Sequence, residues 1–324
     1  MKCRICEKEG GHKTWVAREM MIGLREEFAY FECANCGCVQ INEIPENMGK
    51  YYASNYYSLN SNPEVHFKGF LKRKIKKWRD YSLITGKDGL GALLQRIIPN
   101  QMIELANFSW VRLKKSDKIL DVGCGSGTIP YIFKNAGFKT VHGIDPYIEK
   151  DIEYKIGLKV EKKSLLKFPE TEKWDLIMFN HSFEHIEEPI AHLVKVRSLL
   201  TDGGACVIRI PSISSFAWRE YKTNWVQWDA PRHFFLYSKQ SLKFLADRSG
   251  LEIERVTCES TAFQFIGSEQ YKLDISLFGD SNSYYKGNSN LFNKAQLNSF
   301  AERTHQLNQD NDGDSIAVIL RKTR

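Results

Sequence analysis

The sequence of 324 residues predicts an α/β protein built on a doubly wound, Rossmann-like sheet. Three observations support this prediction. A turn with glycines at every second residue runs from Asp121 to Gly127, between a short apolar run and a helical pattern. From Ser116 onward, apolar runs alternate with helical patterns, which is typical of parallel strands joined by helices. Asp145 ends the next apolar run, about 20 residues after the first glycine, where this architecture places a ribose-binding acid.

The glycine-rich turn itself indicates a ligand site. The run Lys118–Val122 predicts a strand and Thr128–Asn135 predicts a helix, so the turn joins a strand to a helix N-terminus. Glycine has no Cβ and lets the backbone approach a ligand, and the first N–H groups of the helix are free to bind it. A dinucleotide-binding turn of the form G-x-G-x-x-G would need a glycine in place of Thr128. The pattern therefore disfavours an NAD-dependent oxidoreductase.

The order D-x-G-x-G-x-G resembles motif I of the class I S-adenosylmethionine-dependent methyltransferases. In that family the acid and the glycines surround the amino-acid end of the cofactor, and an acid after the next strand binds the ribose. Many members carry a further acid after the third strand, but here Lys163 and Ser164 stand there, which leaves the contact to Ser164. The resemblance implies that S-adenosylmethionine contacts Asp121, Gly123, Cys124, Gly125, Gly127, Asp145, Ser164 and Asn180.

The fourth strand extends the resemblance. The run Trp174–Asn180 is apolar on both faces, as expected of a central parallel strand. It leads to the pair Glu184-His185, which matches the E-H pair that follows this strand in many small-molecule methyltransferases of the class. Near the C-terminus, Ser315–Leu320 would be the last and antiparallel strand. The resemblance implies a seven-stranded sheet whose strand ends bring the glycine turn and the histidines to one crevice.

The histidines are the candidates for proton transfer. Methyl transfer from a sulfonium depends on positioning, and an alcohol or weakly acidic C–H acceptor must also lose a proton. Histidine suits this task because its unperturbed pKa is about 6.5. We expect His185 to be the general base, with His181 and His233 as the next candidates; each is alternatively a structural histidine. Glu184 would orient His185 or contact the cofactor. No D-x-D-type magnesium site is visible, so metal-independent transfer is expected.

The segment 216–237 is strongly aromatic and holds three of the seven tryptophans. Aromatic walls with a few polar groups suit a small-molecule pocket, although a hydrophobic loop packed over the sheet edge would have the same composition. The pattern W-x-x-x-D-A-P-R-H, which begins at Trp225, resembles methyltransferases of glycan and deoxysugar pathways. Several of those also carry an N-terminal module with four cysteines and zinc. The resemblance implies a sugar acceptor, either nucleotide-linked or part of a cell-surface glycan precursor.

Two Cys-x-x-Cys pairs, separated by a β-like stretch, occupy the N-terminus and resemble a zinc ribbon. Four thiolates satisfy a tetrahedral Zn²⁺, and a fragment of about forty residues needs the metal because it cannot build much core. Free cysteines are the alternative interpretation. The predicted ligands of this structural, non-catalytic zinc are Cys3, Cys6, Cys33 and Cys36.

The chain divides into three predicted parts. Residues 1–45 form the zinc-ribbon-like module, 46–115 form a linker and a helical bridge, and 116–324 form the catalytic domain. The linker contains two tyrosine pairs, Tyr51-Tyr52 and Tyr56-Tyr57, which would pack on the module or line the acceptor side of the pocket. The domain includes the aromatic loop 216–237 and a polar insertion, 280–314, predicted to be a lid or a partner surface.

The overall composition is that of an ordinary globular protein, with 42% hydrophobic residues and a formal net charge of +7. No apolar run reaches the roughly 18 residues that a membrane span needs, and no secretory signal is visible, so we expect a cytoplasmic protein. Much of the positive charge lies in Lys68–Arg79, which predicts an amphipathic helix with a solvated basic face. A contact with nucleic acid or another polyanion is the alternative.

The leading hypothesis is S-adenosylmethionine-dependent methyl transfer to a sugar, with a histidine as general base. A quinone or another small molecule is the alternative acceptor within the same enzyme class. From a different class, the sequence also allows a nucleic-acid-modifying zinc-ribbon protein, because the basic helix offers a phosphate-binding surface. The sequence leaves open the acceptor atom and the oligomeric state.

Overall fold

The computed structural model describes residues 1–52, 61–87, 89–100, 102–288 and 290–323. Tyr56 and Tyr57 of the predicted linker lie outside the described residues. Among the described residues, no helix combines the length and the apolar character that crossing a bilayer requires.

Two sheets organise the described part of the chain. Their strands are β1 (Lys13–Arg18), β2 (Glu27–Glu32), β3 (Val39–Ile41), β4 (Lys118–Val122), β5 (Thr140–Ile144), β6 (Ile152–Tyr154), β7 (Leu158–Glu161), β8 (Trp174–Asn180), β9 (Leu200–Pro211), β10 (Phe235–Leu236), β11 (Leu251–Cys258) and β12 (Ser315–Lys322).

The larger sheet confirms the predicted Rossmann-like fold. Its order is β11-β12-β9-β8-β4-β5-β7-β6, and the strands β9, β8, β4, β5 and β7 run parallel. The last strand, β12, is antiparallel to both of its neighbours, as expected. Strand β8 is buried along most of its length, which explains why its sequence is apolar on both faces.

The predicted number of seven strands is wrong, because the described residues of this sheet form eight. The additional strand is β6, which pairs antiparallel with β7 and lies at the edge of the sheet. A tight turn at Gly157, whose φ of 79° favours glycine, reverses the chain between the two strands. A strand of three residues gives no readable alternation, so the sequence pattern did not reveal it.

Helices cover both faces of this sheet. They are α1 (Phe70–Thr85), α2 (Leu90–Ile97), α3 (Thr128–Ala136), α4 (Pro189–Leu199), α5 (Phe216–Tyr221), α6 (Lys239–Ser249), α7 (Phe263–Lys272) and α8 (Lys294–Gln309). The helical pattern from Leu90 to Trp110 predicts a kink or a restart at Pro99, and the structure agrees: α2 ends before Pro99, and a 3₁₀ helix, Ile103–Val111, follows. Proline disfavours the helical conformation of the residue before it, which accounts for the break.

The N-terminal sheet is completed by a strand from the aromatic loop 216–237. Its order is β1-β2-β3-β10, so Phe235 and Leu236 of the aromatic loop pair with β3. Trp228 packs edge-on against Tyr30 of β2 at 5.3 Å between ring centroids. The N-terminal module and the loop 216–237 therefore share one hydrophobic core.

A buried arginine joins these two parts. Arg232 is fully buried, and its guanidinium donates to Glu19 of the module at 2.8 Å and to Asp229 at 2.6 Å. It also donates to the backbone carbonyl of Tyr51 at 2.6 Å. Burial opposes ionisation of Asp229, but the nearby guanidinium outweighs this and lowers the pKa of that carboxyl. The charges compensate one another, as buried charges must.

Removal of this guanidinium should destabilise the protein strongly. Arg232→Met leaves the buried carboxylate of Glu19 and the partly buried carboxylate of Asp229 without their cation, and such a loss costs about 3–5 kcal/mol. The control is Arg219→Met, because the ion pair of Arg219 with Asp312 is at the surface and contributes about 0–1 kcal/mol. Urea denaturation of both variants measures the difference, and equal losses would contradict the role assigned to Arg232.

Candidate active site

The glycine-rich turn lies at the carboxyl end of β4, between that strand and α3. Gly123 and Gly127 have φ values of 70° and 91°, in the region that favours glycine. A Cβ on Gly123 would lie 2.5 Å from the Cβ of Ser182, and one on Gly127 would lie 2.7 Å from a methyl group of Val160. Both positions therefore require glycine for space as well as for conformation.

Asp145 is hydrogen-bonded to the glycine-rich turn. One of its carboxylate oxygens accepts from the N–H of Gly125 and the other from the N–H of Tyr147, both at 2.8 Å. Burial raises the pKa of Asp145, although these backbone donors oppose the change. Each oxygen keeps a further lone pair, so the carboxylate still has acceptor capacity for hydroxyl groups.

Asp121 begins a chain of buried polar groups that crosses three strands. The Asn180 amide donates to Asp121 at 3.0 Å and accepts from Arg209 at 3.1 Å. Arg209 in turn donates to Glu259 at 2.7 Å. Sequence analysis missed Arg209 and Glu259, although an arginine inside the apolar run of β9 was a visible signal. A charged residue in a buried strand needs a partner.

Cys124 and Ser164, which follow β4 and β7, lie in different surroundings. Cys124 is close to β5, where a Cβ on Gly143 would lie 2.6 Å from its sulfur, so Gly143 makes room for it. Burial raises the pKa of the Cys124 thiol well above its usual value. Ser164 is half-buried and precedes a 3₁₀ turn, three residues after β7. Its contact with the cofactor stays a prediction.

The predicted catalytic residues line one cavity of about 380 Å³. His181 is in the left-handed region, with φ of 51°, and its side chain is 39% exposed. Its Nδ1 lies 3.6 Å from a carboxylate oxygen of Glu184, which is fully buried. Asp229 also lies in the left-handed region, at φ of 44°, and borders the same cavity. Non-glycine residues in this conformation cost energy and are often found at functional sites.

The other two histidines have fixed ring orientations. His185 donates from Nδ1 to the backbone carbonyl of Arg232 at 2.7 Å, and His233 donates from Nδ1 to that of Gln227 at 2.8 Å. Their rings meet edge to face at 4.8 Å between centroids. Burial lowers the pKa of His233 to about 4, so this imidazole is neutral at pH 7 with a lone pair on Nε2.

The aromatic residues of the loop 216–237 do not form the walls of this cavity, so the expectation of an aromatic pocket is wrong for them. Trp225 and Trp228 are almost completely buried in the core that the loop shares with the N-terminal module. The loop contributes Val226, Gln227, Asp229 and His233 to the lining instead. Aromatic composition alone does not distinguish core packing from pocket walls, and here the large rings supply buried area.

The cavity is rich in acids that the sequence did not reveal. Besides Glu184 and Asp229, its lining includes Glu104, Glu259 and Asp314. Burial raises the pKa of Asp314 to about 6. These residues come from separate parts of the chain, so no local pattern indicated that they meet.

The four predicted zinc ligands converge at the N-terminus. The sulfur atoms of Cys3 and Cys36 are 3.6 Å apart, those of Cys6 and Cys33 are 3.5 Å apart, and all four lie within 4.8 Å of one another. Bonds of about 2.3 Å to a tetrahedral zinc place sulfur atoms roughly 3.8 Å apart, which this arrangement matches. The Gln40 amide also donates to the sulfur of Cys3 at 3.1 Å. The donor set therefore fits Zn²⁺.

Comparison with known proteins identifies the family. Residues 94–256, about half of the chain, match the family model described as a methyltransferase domain. The chain belongs to this methyltransferase family. The match bears out the predicted enzyme class, a methyltransferase.

Individual relatives are similar over limited stretches. A tRNA U34 carboxymethyltransferase of Shewanella amazonensis is 30% identical over 99 residues, which are 28% of this chain and 30% of that protein. The chain covers between 30% and 39% of the length of the curated relatives that it matches.

Solved structures with similarity include an O-methyltransferase from a polyketide synthase multienzyme of Brevibacillus brevis, in complex with S-adenosyl-L-homocysteine. It is 16% identical, with 64% of this chain and 67% of that chain covered and a TM-score of 0.36. A S-adenosylmethionine-dependent methyltransferase from Archaeoglobus fulgidus is 20% identical, with coverage of 80% and 97% and a TM-score of 0.39.

The buried carboxyl of Asp121 should make stability depend on pH. Burial raises the pKa of Asp121 to about 8. The folded state therefore holds this proton more tightly than the unfolded state, and its contribution to stability is lost as the pH rises from about 4 toward 8. The side chain of Asp121→Asn stays neutral at every pH. The stability of this variant relative to wild type should therefore increase as the pH rises from 5 to 8. Urea denaturation at both values measures this, with exposed Asp202→Asn as control; a pH-independent difference would refute it.

Proposed function

We propose that the methyltransferase binds S-adenosylmethionine on the glycine-rich turn and transfers the methyl group to a hydroxyl-bearing acceptor, a sugar, in the adjacent cavity. One observation carries the proposal: the Asn180 amide donates to Asp121 of the glycine-rich turn at 3.0 Å, and the next residue, His181, lines the cavity. The cofactor turn and the histidine cluster therefore share the carboxyl edge of the sheet, where ligands bind in open α/β folds. Asp121, Gly123, Cys124, Gly125, Gly127, Asp145, Ser164 and Asn180 are the proposed cofactor contacts.

The geometry favours His181 as the general base, ahead of His185 and His233. His181 is the most exposed of the three to the cavity, and the Glu184 carboxylate faces its Nδ1. A proton on Nδ1 leaves the lone pair on Nε2 for the acceptor, and the carboxylate stabilises the imidazolium that forms. His185 and His233 are more buried, and their Nδ1 groups are held by backbone carbonyls.

The charges of the cavity support a neutral acceptor. The described lining contains several acids and one arginine, Arg209. This arginine is already paired with Glu259 at 2.7 Å. Carboxylates accept hydrogen bonds from sugar hydroxyls but repel phosphate. The diphosphate of a nucleotide-linked sugar would therefore have to remain outside the cavity. A quinol or another small phenol is the alternative acceptor, because it also presents neutral hydroxyl groups.

An RNA acceptor is the second candidate. Helix α1 carries a run of lysines and arginines and leaves Phe70 and Leu71 exposed, so a basic and partly apolar face is available for a polyanion. Several curated relatives are named tRNA U34 carboxymethyltransferases, although they match less than a third of this chain. A neutral base is compatible with the acidic cavity, while the phosphates would contact α1.

Two variants should separate cofactor binding from turnover. Asp145→Ala should abolish binding of S-adenosylhomocysteine, because the carboxylate both anchors the turn and offers acceptors to the ribose. His181→Ala should retain that binding and lose about 10²–10⁴-fold in methyl transfer, the usual contribution of a general base. Calorimetry with S-adenosylhomocysteine measures the first effect. Unchanged affinity in Asp145→Ala would refute the ribose assignment; Asp151→Ala, an exposed acid in the same loop, is the control.

The acceptor is tested by screening labelled S-adenosylmethionine against sugars, nucleotide sugars, quinols and tRNA. Transfer to a sugar that is lost in His181→Ala would support the proposal. Transfer to tRNA instead, with affinity that falls steeply as salt increases, would favour the second candidate.

We further propose that the four N-terminal cysteines bind a structural Zn²⁺, so Cys33→Ser should release the metal and lower the unfolding temperature of the protein. A structural zinc supplies folding free energy, and the loss of one of four ligands removes most of it. Elemental analysis of dialysed protein measures the zinc. Cys38→Ser is the matched control, because Cys38 is buried beside the cluster but lies outside the ligand set. Stoichiometric zinc in Cys33→Ser would contradict the four-cysteine site.

A further inference from the structure

We propose that Glu184, His185 and His233 form a second metal site, in the cavity, for a divalent first-row transition metal. Each of the three side chains offers one ligand atom, and these atoms lie within 4.8 Å of one another. The carboxylate of Glu184 is 3.8 Å from Nε2 of His233. Two imidazoles and one carboxylate are a common ligand set for such ions, and three protein ligands leave coordination positions open for a substrate.

The ring orientations suit this role. The carbonyls of Arg232 and Gln227 accept from Nδ1 of His185 and His233, respectively. These bonds fix the tautomer and direct the lone pair of each ring to Nε2. Histidines that bind metals almost always donate their other ring N–H to a carbonyl or a carboxylate. The outer hydrogen bonds of a metal site are therefore already formed.

The carboxylate of Glu184 is near two imidazoles, those of His181 and His233, but is hydrogen-bonded to neither. It is fully buried, and neither oxygen has a hydrogen bond among the described residues. Nε2 of His233 faces Glu184 at 3.8 Å and Asp229 at 3.7 Å. Asp229 is already paired with Arg232, but the Glu184 carboxylate and the lone pair on Nε2 of His233 repel each other unless a proton or a metal ion lies between them.

Nearby cations do not fill this place. The guanidinium of Arg232 is directed to Glu19, Asp229 and the carbonyl of Tyr51. His181 approaches Glu184 from the exposed side, with Nδ1 at 3.6 Å from a carboxylate oxygen. The competing occupant is a proton shared between His233 and the carboxylates. A metal satisfies all three ligands at once, whereas a proton joins only two.

The ligands need a small adjustment to bind an ion. Bonds of roughly 2.0–2.2 Å place neighbouring ligand atoms about 3–3.5 Å apart, so the side chains must close by about an ångström. The role of the ion rests on the proposed function and differs from the metal-independent transfer expected from the sequence. An ion held by Glu184, His185 and His233 would lower the pKa of an acceptor hydroxyl, whose proton His181 would take. The occupancy of the site does not depend on the acceptor.

Cobalt titration of the full chain tests the site. Metal-free protein is titrated with Co²⁺ alone, without methyl donor or acceptor. Wild type should bind two equivalents: one with the sulfur-to-cobalt charge-transfer absorption of the cysteine cluster, and one without it. Glu184→Gln keeps the shape of the side chain and removes its charge, so it should lose the second equivalent and keep the first.

His181→Ala is the matched control, because this residue lines the same cavity but lies outside the ligand set; it should bind two equivalents. Circular dichroism and binding of S-adenosylhomocysteine check that Glu184→Gln is folded. One equivalent in wild type, or two in Glu184→Gln, would overturn the inference. If S-adenosylhomocysteine still binds, either of these results overturns the metal site but not the methyltransferase proposal. Failure of the metal-site inference is therefore distinguishable from failure of the proposed function.

Discussion

The candidate active site depends on the hydrogen bonds that the Arg232 guanidinium makes. This group is fully buried between the N-terminal module and the loop 216–237, and it donates to Glu19, Asp229 and the carbonyl of Tyr51. A buried charge with three partners tolerates little movement, because any displacement leaves a carboxylate unpaired. The same residue accepts from His185 through its own carbonyl. One residue, through its side chain and its backbone carbonyl, thus connects the core of the module to the orientation of a cavity histidine.

This connection gives the N-terminal module a role beyond its own folding. Strand β3 pairs with β10, and the hydroxyl of Tyr30 donates to the backbone carbonyl of His233 at 3.1 Å. The N–H of Phe234 donates to the carbonyl of Glu184 at 2.9 Å. The module therefore contacts the loop, and the loop in turn contacts the cavity residues. A metal in the cysteine cluster would stabilise the cavity at a distance, through packing and hydrogen bonds rather than through chemistry.

Much of the architecture was predictable because it rests on local pattern. The glycine turn, Asp145 at the end of β5 and the apolar run of β8 identified the fold, since strand periods and glycine spacing are properties of neighbouring residues. The paired cysteines were equally local, and their sulfur atoms do converge. The edge strand β6 was missed because three residues carry no period. For the aromatic loop, the sequence left a pocket wall and a packed hydrophobic loop as alternatives, because composition cannot tell which side of a loop faces the core.

The sequence by itself determined the class of the fold, the glycine-rich turn and the residue types available for catalysis. Each of these features depends on residues that are close together in the sequence. Only the tertiary structure decided which of them meet. Arg209, Glu104, Glu259 and Asp314 come from distant segments and meet at one cavity, and the three acids among them make it acidic. The pair Glu184-His185 gains His233 from the loop, and the backbone carbonyls that orient both rings are invisible in any pattern of side chains. Proximity between distant segments depends on how the chain packs, and the spacing of residues along it contains no record of that packing.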